Sequence, residues 1–307
     1  MQKLAAEFIP AADASDRIQS KSCTDDDSLL FQKFGGHRTV PSVRACDGLG
    51  QGQYAVTPSG ELLASSASAN PKEVATMMRD GLVKWAKMPK EKRLLEKVPD
   101  PAAADRWRKY DRLYPADGLV LRSVCRDLPR DDIPEHLRGA WNQDFAWFRK
   151  TEARSFLPSD PAVGAKQEVS RRLIERLARF NLTDSVRALN YNYFAQDAVE
   201  RADLTSTVTG RNGERVELRF EGTTRCAKAD PDGYGYEARL LGKATFDLKA
   251  NRFTAFELVA VGPRWGKGNC NLRHDDPGPA AMGVVFTLAD DTPADRIPPA
   301  HVGRYDW

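Results

Sequence analysis

At 307 residues, with 41% hydrophobic and 29% charged side chains, the chain has the composition of a folded globular protein and the length of two or three domains. Its net charge of +3 is nearly balanced for that length. This argues against a dedicated nucleic-acid surface, where concentrated Lys and Arg must displace counterions. No apolar run reaches the length that crosses a bilayer, so no membrane-spanning segment is expected.

Met1 to Asp13 lack a basic start followed by an apolar stretch, so no signal peptide is read and the chain as written is expected to be cytoplasmic. Leu4 to Pro10 already reads as a short strand. That abrupt opening makes an upstream natural start, and then an extracytoplasmic location, the alternative expectation. Five cysteines (Cys23, Cys46, Cys125, Cys226 and Cys270) are scattered without a Cys-x-x-Cys pair. An odd, widely spaced set makes no disulfide framework and fits buried or idle thiols, with two bridges and one free thiol as the alternative in an oxidising compartment.

In chain order, Leu29, Leu30, Phe31 and Phe34 suit a short helix, with Asp25 to Asp27 favourably placed at its start. Gln53 to Ser65 reads as two strands joined at Pro58-Ser59-Gly60, which supplies a fixed φ and a permissive glycine. A helix follows: Asn70 caps it, Pro71 takes its first position and Glu73 completes a capping-box pattern. Val74, Met78, Leu82 and Trp85 recur on one face of it. Pro89 to Pro115 reads as a linker with a short helix, and Gly118 to Cys125 as a strand. Asp131 and Asp132 sit at an expected helix start, after which Leu137, Trp141, Phe145 and Phe148 share one helical face. A third helix is expected from about Ala165 to Phe180. In it Arg172, Arg176 and Arg179 form a solvated face, neutralised by Glu168 and Glu175 four residues before an arginine.

From Leu204 the period changes to two. Val216, Leu218 and Phe220 alternate with charged residues, which marks a half-buried strand. Asn212-Gly213 predicts a type I′ hairpin turn. Strands at Tyr236 to Leu248 and Phe253 to Val261 meet at Lys249 to Arg252, and Gly283 to Ala289 adds another. Short turns between successive strands predict an antiparallel meander.

The segment Phe34-Gly-Gly-His-Arg-Thr-Val-Pro-Ser-Val43, the strand–turn–strand of Gln53 to Ser65 and the helix from Asn70 together resemble the second half of a thioredoxin-like domain. The resemblance covers under a third of the chain. It implies that Pro41 takes the family's cis-proline place and that residues 53 onward form its closing β-β-α unit. The front strand and the Cys-x-x-Cys helix of that family are missing from this sequence, and Arg44 to Gly50 intervene as a polar insert. Family redox chemistry needs a low-pKa thiolate with a resolving thiol beside it, so dithiol catalysis is not implied.

The expected architecture is therefore α+β: a truncated thioredoxin-like lobe over 1–95, a linker and helical segment over 96–200, and an antiparallel β domain over 201–307. The densest set of binding side chains is the loop Gly262 to Asp276. There Trp265 offers an apolar floor, and Arg273, His274 and Asp275 offer polar contacts to a ligand. Cys270 and His274 are the candidate first ligands of a metal, with Asp275 or Asp276 beside them. The plainer alternative is a Gly-rich crossing loop whose side chains satisfy local groups. Asp230-Pro-Asp-Gly233 lacks the later acidic ligand of a calcium loop and reads as a turn. No cofactor motif is present. The favoured reading is a non-catalytic protein whose β domain binds a small molecule or protein. The alternative, from a different class, is a thiol- or metal-dependent enzyme using Cys23 or the Cys270/His274 loop.

Overall fold

The computed structural model describes residues 2–9, 29, 52–68, 70–94, 110–133, 135–187, 192–228, 233–268 and 271–307. The chain divides into two compact units, Met1–Ala103 and Ala104–Trp307. The expected helix around Leu29 to Phe34, Pro41, the insert Arg44 to Gly50, and Cys23, Cys46 and Cys270 lie outside the described residues, Leu29 excepted, as does most of Asp230 to Gly233.

In the first unit, β1 (Gln53–Val56) and β2 (Leu62–Ser66) pair antiparallel. They are joined through Gly60, whose φ of 83° is the left-handed conformation the turn requires. The helix expected after them (Pro71–Lys87) starts as predicted: Asn70 accepts a hydrogen bond from the Lys72 N–H at 2.9 Å, with Pro71 in the first turn. Its apolar face packs Met77, Val74, Met78 and Trp85 against Ala55 and Leu63 of the hairpin. The face is centred on Ala75, Met77 and Gly81, and Leu82 is only half-buried. The opening segment is helical over Gln2–Ala5, not a strand, and Phe8 after it joins the same small core. We label these helices α1 (Gln2–Ala5) and α2 (Pro71–Lys87).

The second unit is one eight-stranded antiparallel sheet in the order β4-β3-β10-β9-β8-β7-β6-β5. The strands are β3 (Leu119–Asp127), β4 (Trp141–Phe148), β5 (Lys166–Glu168), β6 (Val199–Asn212), β7 (Arg215–Ala227), β8 (Gly235–Asp247), β9 (Arg252–Trp265) and β10 (Ala280–Leu288). β6 to β10 form the expected meander, and β10 then pairs with β3. Between 96 and 200, the strand expected over Gly118 to Cys125 is β3, while β4 and β5 arise where helices were expected, and all three join the same sheet as 201–307. The α+β class holds.

One face of this sheet carries the main core. Phe220, Leu240, Phe256, Leu258, Val284 and Phe286 pack with Leu173, Ile174 and Leu177 of α5 (Arg171–Phe180), a helix laid on that face. Phe156, in the short segment after α4 (Lys150–Ala153), meets Phe148, Phe220 and Phe256 edge-on within 6.0 Å. On the opposite face of β3 and β4, a second cluster joins Val120, Phe145 and Trp147 to Phe180, Val302 and Tyr305.

Three expectations are corrected. The stretch 137–148 is not a helix: a 3₁₀ turn spans Glu135–Leu137 and the aromatic residues lie on β4. Spacing of four fits one helical face, yet Phe145 and Trp147 on one side and Ala146 and Phe148 on the other fit a strand buried on both faces, and tertiary pairing with β3 decides. No helix begins at Asp131 and Asp132. The third helix begins at Arg171, because 166–168 pairs with β6 as β5. Its arginine face is also not uniformly solvated. Arg176 is buried and donates to both Glu152 oxygens at 2.7 and 2.9 Å, and Glu175 pairs back to Arg171 instead of forward to Arg179.

Candidate functional site

The loop from Gly262 to Asp276 does concentrate charge, but it spends that charge internally. Arg273 is fully buried and uses all five N–H donors. It makes two bonds to Asp184 at 2.8 and 2.9 Å, two to Asp127 at 2.8 Å and one to Asp276 at 3.1 Å. Asp276 also receives Arg130, Arg187 and Arg264, while Arg187 reaches Asp275 at 2.9 Å. Four arginines thus meet four aspartates. Burial works against the Arg273 charge, yet the bonds to Asp184 and Asp127 raise its pKa. Burial pushes Asp276 upward, yet the Arg130 hydrogen bond and the charges of Arg264, Arg130 and Arg187 hold it below the usual carboxylate range. Arg264 is pulled below its ordinary value by burial and by neighbouring Arg273.

The other residues expected there are dispersed. Trp265 ends β9 half-buried, with the Arg225 guanidinium 5.0 Å from its ring. His274 and Asp275 are exposed, and Cys270 lies outside the described residues. Among the described residues no group of three His, Cys, Asp or Glu side chains is placed to hold a metal ion. Arg273, expected to face a ligand, has no donor left for one.

A different site adjoins this network. A small polar cleft is lined by Ser123 and Cys125 of β3, Asn142 to Asp144 of β4, Val284 of β10, and Phe180, Asn181, Thr183 and Ser185 at and after the end of α5. It has space for a group about the size of a water molecule. Registration explains the meeting: Ser123 is opposite Asp144 and Cys125 opposite Asn142, so all four share the face that α5 covers. The wall at 181–185 is bonded in place. Asn181 donates to the Phe145 carbonyl at 2.9 Å, Asn142 donates to the Ser185 carbonyl at 2.9 Å, and Asp184, between Thr183 and Ser185, is held by Arg273.

Two acceptors in this cleft stand out. Asp144 Oδ1 accepts the N–H groups of Phe145 at 2.8 Å and Ala300 at 3.0 Å, while Oδ2 makes no hydrogen bond and no cation pairs with the carboxyl among the described residues. Burial raises the Asp144 pKa to about 6 despite those two bonds. Asn181 is 7% exposed, and its Oδ1 is buried without a donor. Burial pushes the Cys125 thiol up to about 12, and the Cys226 thiol to about 12 at the other end of the sheet, so both stay neutral and unreactive near pH 7.

None of the cleft residues stands out in the sequence by motif. Asn142 and Asp144 were legible only if 141–148 is taken as a strand, which places them beside Ala146 and Phe148 on the core side. Asn181 to Ser185 carries a weak signal, a run of small polar residues directly after a helix with no Gly or Pro to mark a solvated turn. No helix among the described residues is long and apolar enough to cross a membrane. No family model, no curated protein and no solved structure matches the chain.

Proposed function

We propose that this is a non-catalytic protein in two parts: a degenerate thioredoxin-like lobe, and a β unit that binds a small polar ligand in the Asp144 cleft. The observation that carries the binding reading is a pair of acceptors without donors on residues that line the same cleft: Asn181 Oδ1, which is buried, and Asp144 Oδ2, on a half-buried side chain. An unsatisfied buried acceptor such as Asn181 Oδ1 costs about 1–3 kcal/mol. Such a cost is retained where a ligand supplies the missing donors. The lobe reading is supported by the β-hairpin and packed helix at 53–87, the order of the family's closing β-β-α unit.

Amide-resolved NMR of the whole chain during a screen of small polar molecules tests the binding reading. Perturbation should centre on Asp144, Asn181, Thr183 and Ser185. A screen that moves only amides near Trp265 and His274, or none, removes the cleft as the site.

A further inference from the structure

We propose that the cleft seats a primary ammonium group, with Asp144 and Asn181 as its two fixed acceptors. The inference rests on the cleft being the ligand site and names the chemistry of that ligand. Three facts point the same way. The first is the balance of donors and acceptors. Asn181 Oδ1 is buried without a donor, Asp144 Oδ2 takes no hydrogen bond from a described residue, and Ser123, Thr183 and Ser185 line the same cleft. Thr183 and Ser185 hydroxyls lie 3.2 Å apart and bond to each other, so one of them is committed as donor and lone pairs remain free. A primary ammonium has three donors and no acceptor, which is the complement of that set. A carboxylate or phosphate would meet Asp144 and Asn181 oxygen to oxygen. An alcohol has one donor for two acceptors.

The second fact is charge. Among the described residues no cation pairs with the Asp144 carboxyl, although arginines are abundant in this unit. Arg122, one residue along β3 from Ser123, is committed to Asp295, and Arg176 to Glu152. The third is size. Space for a water-sized group admits an ammonium head and excludes a planar guanidinium, and Phe180 and Val284 at the wall suit the methylene that follows the nitrogen. A free alkylamine and a lysine side chain both deliver this group.

Binding should need Asp144 ionised, and therefore weaken as pH falls through about 6. Around Asp144, Cys125 of β3 lines the same cleft, Tyr305 of the C-terminal segment lies within reach of its charge, and Asp184 lies near Cys125. The Cys125 thiol stays neutral, Asp184 is bound to Arg273, and burial raises the Tyr305 hydroxyl so that it too stays neutral. His301 adjoins Ala300, whose N–H donates to Asp144. A variant compared at fixed pH isolates Asp144 from it.

The experiment is a titration of the whole chain at pH 7.5 by amide-resolved NMR. The probes are methylammonium chloride, Nα-acetyllysine amide, methanol and sodium chloride, each on wild type and Asp144→Asn. Expected is saturable perturbation of the cleft amides by methylammonium, weakened roughly 10–100-fold in the variant, with methanol and sodium chloride inactive. Response to the lysine amide as well assigns the source to a side chain, and its absence to a small amine. Methanol acting as strongly as methylammonium, or equal response of the two proteins, overturns the ammonium while leaving the cleft as a ligand site. Silence of the cleft amides to all four probes overturns the ammonium. If the broader screen is silent there too, the binding reading falls with it.

Discussion

Asp144 holds a carboxyl in a place where ionisation is opposed, and this has a measurable sign. Its pKa is about 6 in the folded protein against an ordinary value of 3.8. Between those values the folded state binds more protons than the unfolded one, so the residue favours folding at low pH and that advantage is lost as pH rises through 4 to 6. The resulting cost at pH 7 is at most about 3 kcal/mol, and less to the extent that solvent reaches the carboxyl. Asn in its place keeps an acceptor for Phe145 and Ala300 and has no charge to bury. Asp144→Asn should therefore be more stable than wild type at pH 7, with the difference shrinking toward pH 4. Urea unfolding of both proteins across that range checks it. A variant less stable than wild type at pH 7 would mean that the carboxylate has a protein partner. A residue that lowers stability while facing a cleft is the expected trade between stability and binding.

At the scale of elements, the turn between β6 and β7 was anticipated at the right glycine with the wrong geometry. Asn212 pairs with Arg215 across the hairpin, so the two turn residues are Gly213 and Glu214, one position later than a turn centred on Asn212-Gly213. Gly213 has a φ of 58°, and Glu214 is not among the residues with positive φ. This is the type II′ pattern, with glycine at the first central position. A Cβ at Gly213 would meet nothing within 4 Å, so substitution costs backbone strain alone. Gly213→Val should cost on the order of 1–2 kcal/mol and Gly213→Asn less, because Asn tolerates positive φ. Equal melting temperatures for the two variants would sink that account. Gly262 is required for a different reason: a Cβ there would sit 2.0 Å from the Glu237 carbonyl oxygen of the neighbouring strand β8.

For the second unit as a whole, the arginine–aspartate network is the main long-range tie. Asp127, Asp184 and Arg273 lie on the end of β3, the segment after α5 and the β9–β10 loop, and they converge with full hydrogen bonding. Pairing of this kind offsets desolvation only while every partner remains. Arg273→Ala leaves the buried carboxylates of Asp127 and Asp184 without their hydrogen bonds and with only the Arg264 guanidinium, at 3.9 and 4.0 Å, as a counter-charge, and should cost about 3–5 kcal/mol. Arg273→Lys should recover little of it, since an ammonium cannot reproduce the planar fork. Chemical denaturation measures both, and a loss below about 1 kcal/mol in Arg273→Ala would demote the network to decoration. Because Asp184 stands between Thr183 and Ser185, the same variants should also broaden the amide signals of the cleft wall.

What the sequence determined by itself is local and periodic. Asn70-Pro71 started a helix because capping acts within one turn, and alternation over 216–220 marked a strand because its inner face is buried along its whole length. The meander from β6 to β10 followed from short turns between neighbours in the chain. Only the tertiary structure decided that 141–148 is a strand, since Phe145 and Trp147 are buried on one face and Phe148 on the other, and the spacing fits either element. It likewise decided that the charge-rich loop is consumed by Asp127 and Asp184, more than 80 residues away, as the separation of 89 between Arg273 and Asp184 records. The cleft was illegible for the same reason. Asp144 and Asn181 are ordinary polar residues in the chain, and they line one cleft only because sheet register and the end of a helix bring them together.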